Sequence, residues 1–457
     1  MTDAKPLMPP PTPAPEHAGP RGGAAGLWVR VTRGSELWQH ADFMRLWGGQ
    51  AISQVGSQIT LVALPLIAVE RLHATASVMG VIGAVGRLPF VLYLVAGVWV
   101  DRVRRRRVLL GADLARGALL LVIPLSAAAH ALSLWLLGAV LFAVMTLSVW
   151  FDTAYMSYLP SLVDRRLLMQ GNSVMESTRS GAQVVGPGLG GILVAALSAP
   201  AAIVADAVSF FVSAFSLWRI RRPEPKPEPE RSLGVGGMFS AIGVGLKFVA
   251  KDRTLGPLAL AIGVSNLVWA AELALYIIYL AKGLGLPAEL IGLALAAAGP
   301  GALAGSALAG KIQRKIGVSG AITGGLALFA VSALLIPAAP AHHEALATGM
   351  LMVAGLGMSA GGQVCVVNVM TTRQMMTPDH LLGRVNASFR FIGLGVSPLG
   401  SLLGGALGAI LGLRLGLLVA VLGMFLAPVI VLASPVRRVR VLPSSPPGEA
   451  TTGSGQS

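Results

Sequence analysis

Charged residues are scarce in this sequence. Only 12% of its 457 residues are Asp, Glu, Lys or Arg, and 54% are hydrophobic, whereas about a quarter of the residues in a soluble domain are charged. Such a chain cannot cover its own surface with polar groups, which excludes an ordinary soluble fold. The hydrophobic residues come in long blocks, and many reach the roughly 20 residues that cross about 30 Å of hydrocarbon as a helix.

Cysteine and histidine are also rare. The single Cys365 lies inside a hydrophobic block, so the chain can form neither an internal disulfide nor a thiolate metal cluster. The seven histidines fall in tails, loops or helix ends, without the H-E-x-x-H spacing of a metal site, and the G-x-x-x-x-G-K-S/T loop of nucleotide hydrolysis is missing. The sequence therefore predicts no enzyme, no metal site and no cofactor.

The hydrophobic blocks predict helices. Lipid forces every backbone polar group to bond internally, so only a helical bundle or a closed barrel can cross it. Barrel strands would alternate polar and apolar residues over about 10 positions, and these blocks are too long and too uniform for that. We expect an all-α membrane protein with twelve transmembrane helices. They are predicted at 45–70, 76–99, 108–129, 132–156, 172–198, 200–219, 254–281, 288–310, 317–339, 345–371, 382–410 and 412–434.

A polar stretch, RIRRPEPKPEPER, divides these helices into two sets of six. Its alternating prolines favour an extended linker. We predict one six-helix bundle over 43–219 and a second over 254–434. The linker over 220–253 contains either a short amphipathic helix or a plain loop. Residues 1–42, which lack a cleavable signal sequence, and residues 435–457 are predicted to be disordered cytoplasmic tails.

The net charge of +15 could indicate a nucleic-acid partner, but its distribution favours a membrane. Only Arg71, Lys282 and Arg414 lie near one side of the predicted helices, whereas basic residues crowd the loops of the other side. By the positive-inside rule the crowded side is cytoplasmic, which places both termini inside and requires an even number of helices. We predict a monomer in the plasma membrane that contacts anionic lipid headgroups and binds no nucleic acid.

The two halves also resemble each other, as in transporters built from parallel repeats. The fifth helix begins LLMQGNSVMES and the eleventh begins LLGRVNASFRF. The aligned pairs are Asn172 with Asn386, Gly190 with Gly404, Gly191 with Gly405 and Gly97 with Gly310. Four pairs at a nearly constant offset indicate an internal repeat.

Two short motifs carry a resemblance to a known family. The sequence GVWVDRVRRR after the second helix resembles the G-x-x-x-D-R-x-G-R-R signature of the major facilitator superfamily, with Arg104 at the family's inner glycine. The matching residues are Gly97, Asp101, Arg102, Arg105 and Arg106. The sequence GPGLGG in the fifth helix resembles the G-P-x-x-G-G motif of the drug/proton antiporters in that superfamily, with Ala182 at the family's earlier glycine. The matching residues are Gly186, Pro187, Gly190 and Gly191.

The resemblance covers nearly the whole chain, from Phe43 to about Ser434. FMRLWGGQAISQVGSQIT in the first helix and FDTAYMSYLP before the fifth are most similar to the branch of macrolide-efflux proteins and the enterobactin exporter. The family implies two pseudo-symmetric six-helix bundles and transport by alternating access. The branch implies export of lipophilic or amphipathic compounds such as drugs, macrolides or siderophores.

Ionisable residues inside the predicted helices are candidate functional groups, because a charge at the bilayer centre costs at least about 2.5 to 3.5 kcal/mol. The repeat aligns Glu176 with Arg390 and Asp101 with Arg314. In the superfamily fold the second helix faces the eleventh and the fifth faces the eighth. We therefore expect Asp101 with Arg390, and Glu176 with Arg314, to form cytoplasmic gate pairs. The alternative is pairing within each half, because charges three residues apart share one helix face. The candidates for that are Asp113 with Arg116 and Glu176 with Arg179.

A carboxylate that couples transport to protons must exchange them near neutral pH, which favours a buried position. The candidates are Glu272, Glu176, Asp113 and Asp206. Trp269, Glu272 and Tyr276 share one face of a helix by their spacing, and that face could bind a cationic or aromatic compound. The residues that we expect to line a substrate pocket are Gln54, Gln58, Asn266, Trp269 and Tyr276.

The sequence predicts a secondary active transporter whose partners are a small-molecule substrate, protons and membrane lipids. A facilitator, an importer or a lipid flippase on the same scaffold is the alternative within transport. A receptor would need a signalling domain, and the tail after Pro435 is too short for one.

Overall fold

The protein is described by a computed structural model over residues 36–100, 103–222, 224 and 235–439. Within these ranges every regular element is helical. Ten continuous helices are long and apolar enough to cross a membrane; one of them, Ala288–Ala338, contains two spans, and the shorter Ala76–Leu92 is continued by Tyr93–Val100. The described residues therefore contain twelve membrane spans, and the predicted fold class is confirmed.

The twelve spans are labelled α1 to α12 in chain order. The first six are α1 Ala41–Arg71, α2 Ala76–Leu92 with Tyr93–Val100, α3 Arg105–Ala128, α4 Leu134–Leu162, α5 Leu168–Leu197 and α6 Ala199–Trp218. The second six are α7 Leu255–Gly283, α8 over 288–316, α9 over 318–338, α10 Glu344–Met376, α11 Asp379–Gly395 with Ser397–Leu411, and α12 Leu413–Ala433.

A single residue, Gly317, separates α8 from α9. Its φ of 77° and ψ of 170° lie outside the helical region, in backbone space that glycine enters without steric cost. A Cβ atom at Gly305 in α8 would meet Ala360 of α10, and one at Gly325 in α9 would meet Gly361 beside it. Residues on both sides of Gly317 therefore lie at the same level of α10, which shows that the chain reverses direction there.

The ends of the two predicted bundles differ in detail from the sequence prediction. Residues of the predicted N-terminal tail form the 3-10 turn Glu36–Gln39 and the first turn of α1. The fully buried Leu37 packs this segment against the first half. Within the predicted linker, Val235–Lys251 is a helix whose Gly245 lies against the backbone of Arg384 in α11. Residues 1–35, 440–457 and most of the proline-rich stretch lie outside the described residues.

The repeat is visible in the backbone where α1 and α7 end. Both helices finish in one π-helical turn, Ile67–Arg71 in α1 and Tyr279–Gly283 in α7. Leu72 N–H donates to the Ile67 carbonyl over 3.1 Å, and Leu284 N–H donates to the Tyr279 carbonyl over 2.9 Å. The two turns contact each other, so equivalent elements of the two halves meet at this end of the molecule.

Because the number of spans is even, α1 begins and α12 ends at the same membrane face, which we call the terminal face. The halves meet toward the opposite face in two equivalent crossings. A Cβ atom at Gly80 in α2 would lie 2.7 Å from the Cα of Gly405 in α11, and one at Gly292 in α8 would lie 2.9 Å from the Cα of Gly191 in α5. Small residues of this kind let helix backbones approach closely in membranes.

Among the described residues, two side-chain hydrogen bonds also cross between the halves. Lys282 Nζ at the end of α7 donates to the Ala74 carbonyl over 3.1 Å, and Arg87 Nη1 in α2 donates to Ser401 Oγ in α11 over 3.0 Å. The Lys282 contact and the glycine crossings lie nearer the opposite face than the terminal face. The halves are therefore closed against each other at the opposite face.

Replacing Gly405 by valine should open this contact. Overpacking costs about 1–3 kcal/mol, so we expect the closed arrangement to lose about tenfold in population. A cysteine introduced at Ala76, which is buried against Gly408, reports the opening as faster maleimide labelling in a Cys365→Ala background. Gly349→Val is the control, because a Cβ atom there meets nothing within 4 Å. Equal labelling rates in both variants would contradict the closed crossing.

Candidate functional site

Several charged side chains inside the spans are exposed. The exposed side chains include Asp152 in α4, Glu176 and Arg179 in α5, and Arg390 in α11. They lie on the terminal-face side of the glycine crossings. Charged side chains in contact with lipid would be costly, so intramembrane charges face the bundle interior or water. These residues therefore indicate a water-accessible cavity between the halves that opens toward the terminal face.

The arrangement around Glu272 is different, because this carboxylate is only 2% exposed. It lies in α7 beside Ala271, against which Gly404 of α11 packs closely. Its interacting cation is Arg87 of α2, but within the described residues no ion pair within 4.0 Å and no hydrogen bond involves the Glu272 carboxylate. A buried acid without a direct partner thus lies where α2, α7 and α11 meet.

Arg87 connects this acid to the contact between the halves. Its Nη1 donates to Ser401 Oγ over 3.0 Å and to the Gly83 carbonyl over 3.2 Å. The guanidinium is therefore hydrogen-bonded to α11 while it interacts electrostatically with α7. The sequence contains no local signal for the contact of Arg87 with Ser401, because the two residues are distant in the chain.

The predicted pocket residues have different surroundings. Gln58 in α1 packs against Gly186 of α5, and Gln54 and Asn266 are half-buried. Trp269 is 42% exposed, whereas Tyr276 is 6% exposed. The shared helix face of Trp269, Glu272 and Tyr276 is thus open at one end and buried at the other, and it does not form one continuous wall in this conformation.

Two other buried carboxylates, Asp113 and Asp206, have all their described partners within the first half. Arg116 forms an ion pair with Asp113, as their spacing predicted, and its guanidinium lies 4.2 Å from the centroid of the Phe151 ring and 4.3 Å from that of Phe210. Asp206 in α6 accepts hydrogen bonds from Thr60 and Ser209. Both carboxylates are buried among helices of one half, which separates them from the contact between the halves.

The other candidate carboxylate, Glu176, pairs within its own half. Its Oε2 lies 3.8 Å from Arg179 Nη1, and both side chains are more than half exposed. Arg314 has no acid within 4.0 Å in the described part of the chain. Asp101 lies outside the described residues, as does Arg102, so the pair of Asp101 with Arg390 stays a prediction. The structure shows Arg390 above the ring of Tyr93, with 4.9 Å between the guanidinium carbon and the ring centroid.

Arg105 and Arg106 of the loop motif hold α3 to the end of α6 and to Glu224 of the linker at the terminal face. Gly97 lies in the helix Tyr93–Val100. The backbone N–H groups of Arg105 and Arg106 donate to the Glu224 carboxylate over 2.7 and 3.2 Å. The Arg106 side chain donates to the Leu217 and Trp218 carbonyls at the end of α6. Glu224 therefore caps the amino end of α3, where a negative charge is favourable.

The glycine motif of α5 packs that helix against two neighbours. Gly186 and Gly190 lie against α1, where a Cβ atom at Gly190 would be 3.1 Å from the Cα of Ile59. Gly191 faces α8, where its Cβ atom would be 3.0 Å from the Cα of Gly292. Pro187 presents its carbonyl to the same glycine of α8. The motif thus contributes directly to the contact between the halves.

Residues 46–397 match the family described as the Major Facilitator Superfamily. The chain belongs to the major facilitator superfamily. The family prediction made from Gly97, Asp101 and the glycine motif is confirmed.

Relatives within this superfamily include named exporters. The chain is 28% identical to the multidrug efflux pump Tap of Mycolicibacterium fortuitum over 403 residues, which cover 86% of this chain and 95% of that one. It is 27% identical to macrolide efflux protein A of Streptococcus pyogenes over 183 residues, or 40% of this chain and 45% of that one. As a member of this superfamily the chain is a transporter and not an enzyme, and it is similar to named multidrug and macrolide exporters.

Solved structures share the major facilitator fold at low identity. A bacterial homologue of the human lysosomal transporter Spinster, in an inward-facing and occupied conformation, aligns with a TM-score of 0.69 at 14% identity and covers 90% of this chain and 100% of its own. A bacterial homologue of the iron transporter ferroportin aligns with a TM-score of 0.66 at 17% identity, covering 86% and 98%.

Removing Asp113 should destabilise the transporter strongly. Asp113→Asn leaves Arg116 buried without its counter-charge, which costs about 3–5 kcal/mol. Glu176→Gln breaks the exposed pair with Arg179 and is the control, with an expected cost of about 0–1 kcal/mol. We expect a much lower unfolding temperature in detergent for the first variant only.

An apolar double variant, Asp113→Leu with Arg116→Met, should recover part of that loss, because it removes both buried charges together. Equal unfolding temperatures of Asp113→Asn and Glu176→Gln would mean that the buried pair contributes no more than the exposed one.

Proposed function

We propose that this transporter exports lipophilic or amphipathic compounds from the cytoplasm in exchange for protons. The terminal face is cytoplasmic in this proposal, because the basic loop residues lie on that side and positive charge is retained in the cytoplasm. Both termini are then inside the cell and the membrane is the plasma membrane. The names of the multidrug and macrolide exporters to which the chain is similar support this direction of transport.

With this orientation the conformation is inward-facing. The halves touch at the opposite face through Gly80 with Gly405 and Gly191 with Gly292, while Glu176 and Arg314 are not paired at the terminal face. A compound from the cytoplasm can enter the cavity in this state. Rocking of one half against the other would then close the terminal face and open the opposite face.

The observation that carries proton exchange is the position of Glu272. Among the described residues it is a buried acid without an ion-pair or hydrogen-bond partner, beside a contact that must break when the opposite face opens. As a neutral acid it leaves Arg87 bonded to Ser401 of α11. As a carboxylate it attracts Arg87 toward α7 and weakens that bond between the halves. The charge on Glu272 thereby biases which face of the transporter is closed.

Glu272→Gln should separate proton coupling from substrate movement. In vesicles with a pH gradient we expect wild-type protein to concentrate ethidium and to release lumenal protons in exchange. The variant should lose about tenfold or more of this driven uptake, because glutamine keeps the neutral shape but exchanges no proton. It should retain ethidium counterflow, which needs no net proton movement.

Glu344→Gln is the control, because Glu344 is exposed at the start of α10 and its neutralisation should change neither activity. A Glu272→Gln protein that still concentrates ethidium at the wild-type rate would overturn the coupling role. A wild-type protein that only equilibrates ethidium would indicate a facilitator.

The second predicted gate can be tested by exchanging charges. Glu176→Arg and Arg314→Glu should each reduce ethidium transport, because each places like charges across the closing terminal face. The double variant should recover most of it if the pair forms in the outward-facing state. The matched exchange of Glu176→Arg with Arg179→Glu restores only the pair seen within the first half. Recovery in that second double variant alone would favour pairing within the half and reject the gate.

A further inference from the structure

An aromatic ring and a carboxylate lie together in the cavity, on α2 and α4. Tyr93 Oη donates a hydrogen bond to Asp152 Oδ2 over 2.7 Å. Hydrogen bonds to an ionised acceptor are stronger than neutral ones, so this contact fixes the ring beside the carboxylate. Phe90 adds a second ring, with its centroid 6.0 Å from that of Tyr93. The exposed Asp152 carboxylate has no cation within 4.0 Å among the described residues.

A cation from the other half already lies over the ring of Tyr93. The guanidinium carbon of Arg390 in α11 lies 4.9 Å from the ring centroid. In the described part of the chain no carboxylate lies within 4.0 Å of Arg390, so the ring is its direct partner. A flat, delocalised cation over an aromatic face is attracted by the negative charge of the ring face. The first half thus presents a surface that holds a positive charge.

We infer that Tyr93 and Asp152 form a subsite for the positive charge of an amphipathic organic cation, and that Arg390 occupies this subsite when no substrate is bound. The ligand class is a lipophilic compound with a protonated amine or a delocalised cation. Such a cation replaces the guanidinium over the ring and gains the attraction of the Asp152 carboxylate. A neutral compound of the same size gains only contact with the ring.

Other charges near the subsite change its preference for a cation over a neutral compound, but they do not cancel it. Tyr155 interacts with Asp152 and Glu176, so two acids lie near the same wall of the cavity. Arg179 also interacts with Tyr93 and opposes a second cation, but it pairs with Glu176 over 3.8 Å. Arg390 is then the one nearby cation in the described residues whose direct contact is the subsite itself. If Arg390 competes with the substrate, removing its charge should strengthen the binding of a cation. If Arg390 only stabilised the structure, removing its charge would not strengthen that binding.

The test compares a cation with a neutral compound of similar size. Binding of tetraphenylphosphonium and of triphenylphosphine oxide to the purified full-length protein in detergent is measured by calorimetry. Asp152→Asn should weaken tetraphenylphosphonium binding by about tenfold and leave the oxide unchanged. Arg390→Gln should tighten tetraphenylphosphonium binding by about fivefold. Arg384→Gln, an exposed arginine on the same helix, is the matched control and should change neither affinity.

Weaker or unchanged tetraphenylphosphonium binding in Arg390→Gln would overturn the inference, as would an equal loss for both compounds in Asp152→Asn. A wild-type protein that unfolds normally but binds no tetraphenylphosphonium would also overturn it. The inference rests on the proposed function for its substrate, but this measurement uses no gradient. A facilitator or importer with the subsite would pass it, and an exporter of neutral compounds would fail it.

Discussion

Lipid offers no partner for a charge or a free backbone group, and the structure is organised around that constraint. The charges inside the spans differ in their environments. Asp113 and Arg116 neutralise each other between two phenylalanine rings. Arg390 and Asp152 are exposed to the cavity. Glu272 is 2% exposed and has no ion-pair or hydrogen-bond partner among the described residues, so its charge is sensitive to any movement of the helices around it.

The contact between the halves has to break in every transport cycle, and its composition suits that requirement. Where Gly80 meets Gly405 and Gly191 meets Gly292, backbone packs against backbone without interlocking side chains. Such a surface gains dispersion energy from close approach, yet it separates without any side chain having to change rotamer. The crossing of α2 with α11 and that of α8 with α5 are equivalent because the halves are repeats, so the two sides of the closed face can open together.

The parts of the structure that depend on local pattern followed from the sequence. Twelve hydrophobic blocks predicted twelve spans, and spacing of three gave the pairs of Asp113 with Arg116 and Glu176 with Arg179 as the alternative to pairing between the halves. Contacts between distant residues carried no such signal. The cap that Glu224 makes on α3 depends on how the linker folds back, and the stacking of Arg390 on Tyr93 depends on how far the halves are closed. The turn between α8 and α9 needs only Gly317, because the positive φ of this residue reverses the chain. The sequence prediction instead left residues 311–316 as a loop between the two helices.

The seam between α2 and α11 contains two reciprocal arginine contacts, and this relates the two proposals to each other. Arg87 reaches from α2 to Ser401 in α11, and Arg390 reaches from α11 to Tyr93 in α2. A further charge can weaken each contact, because the Glu272 carboxylate competes with Ser401 for Arg87 and a substrate cation competes with Arg390 for the ring of Tyr93. If both proposals hold, loss of a proton from Glu272 weakens the seam near the opposite face, while arrival of a cation displaces Arg390 nearer the terminal face.

One positive charge would leave the protein interior and one would enter it, so exchange of a monovalent cation for one proton would move no net charge. Such an exchange responds to the pH difference across the membrane and not to its electrical potential, because a transmembrane potential acts only on net charge moved.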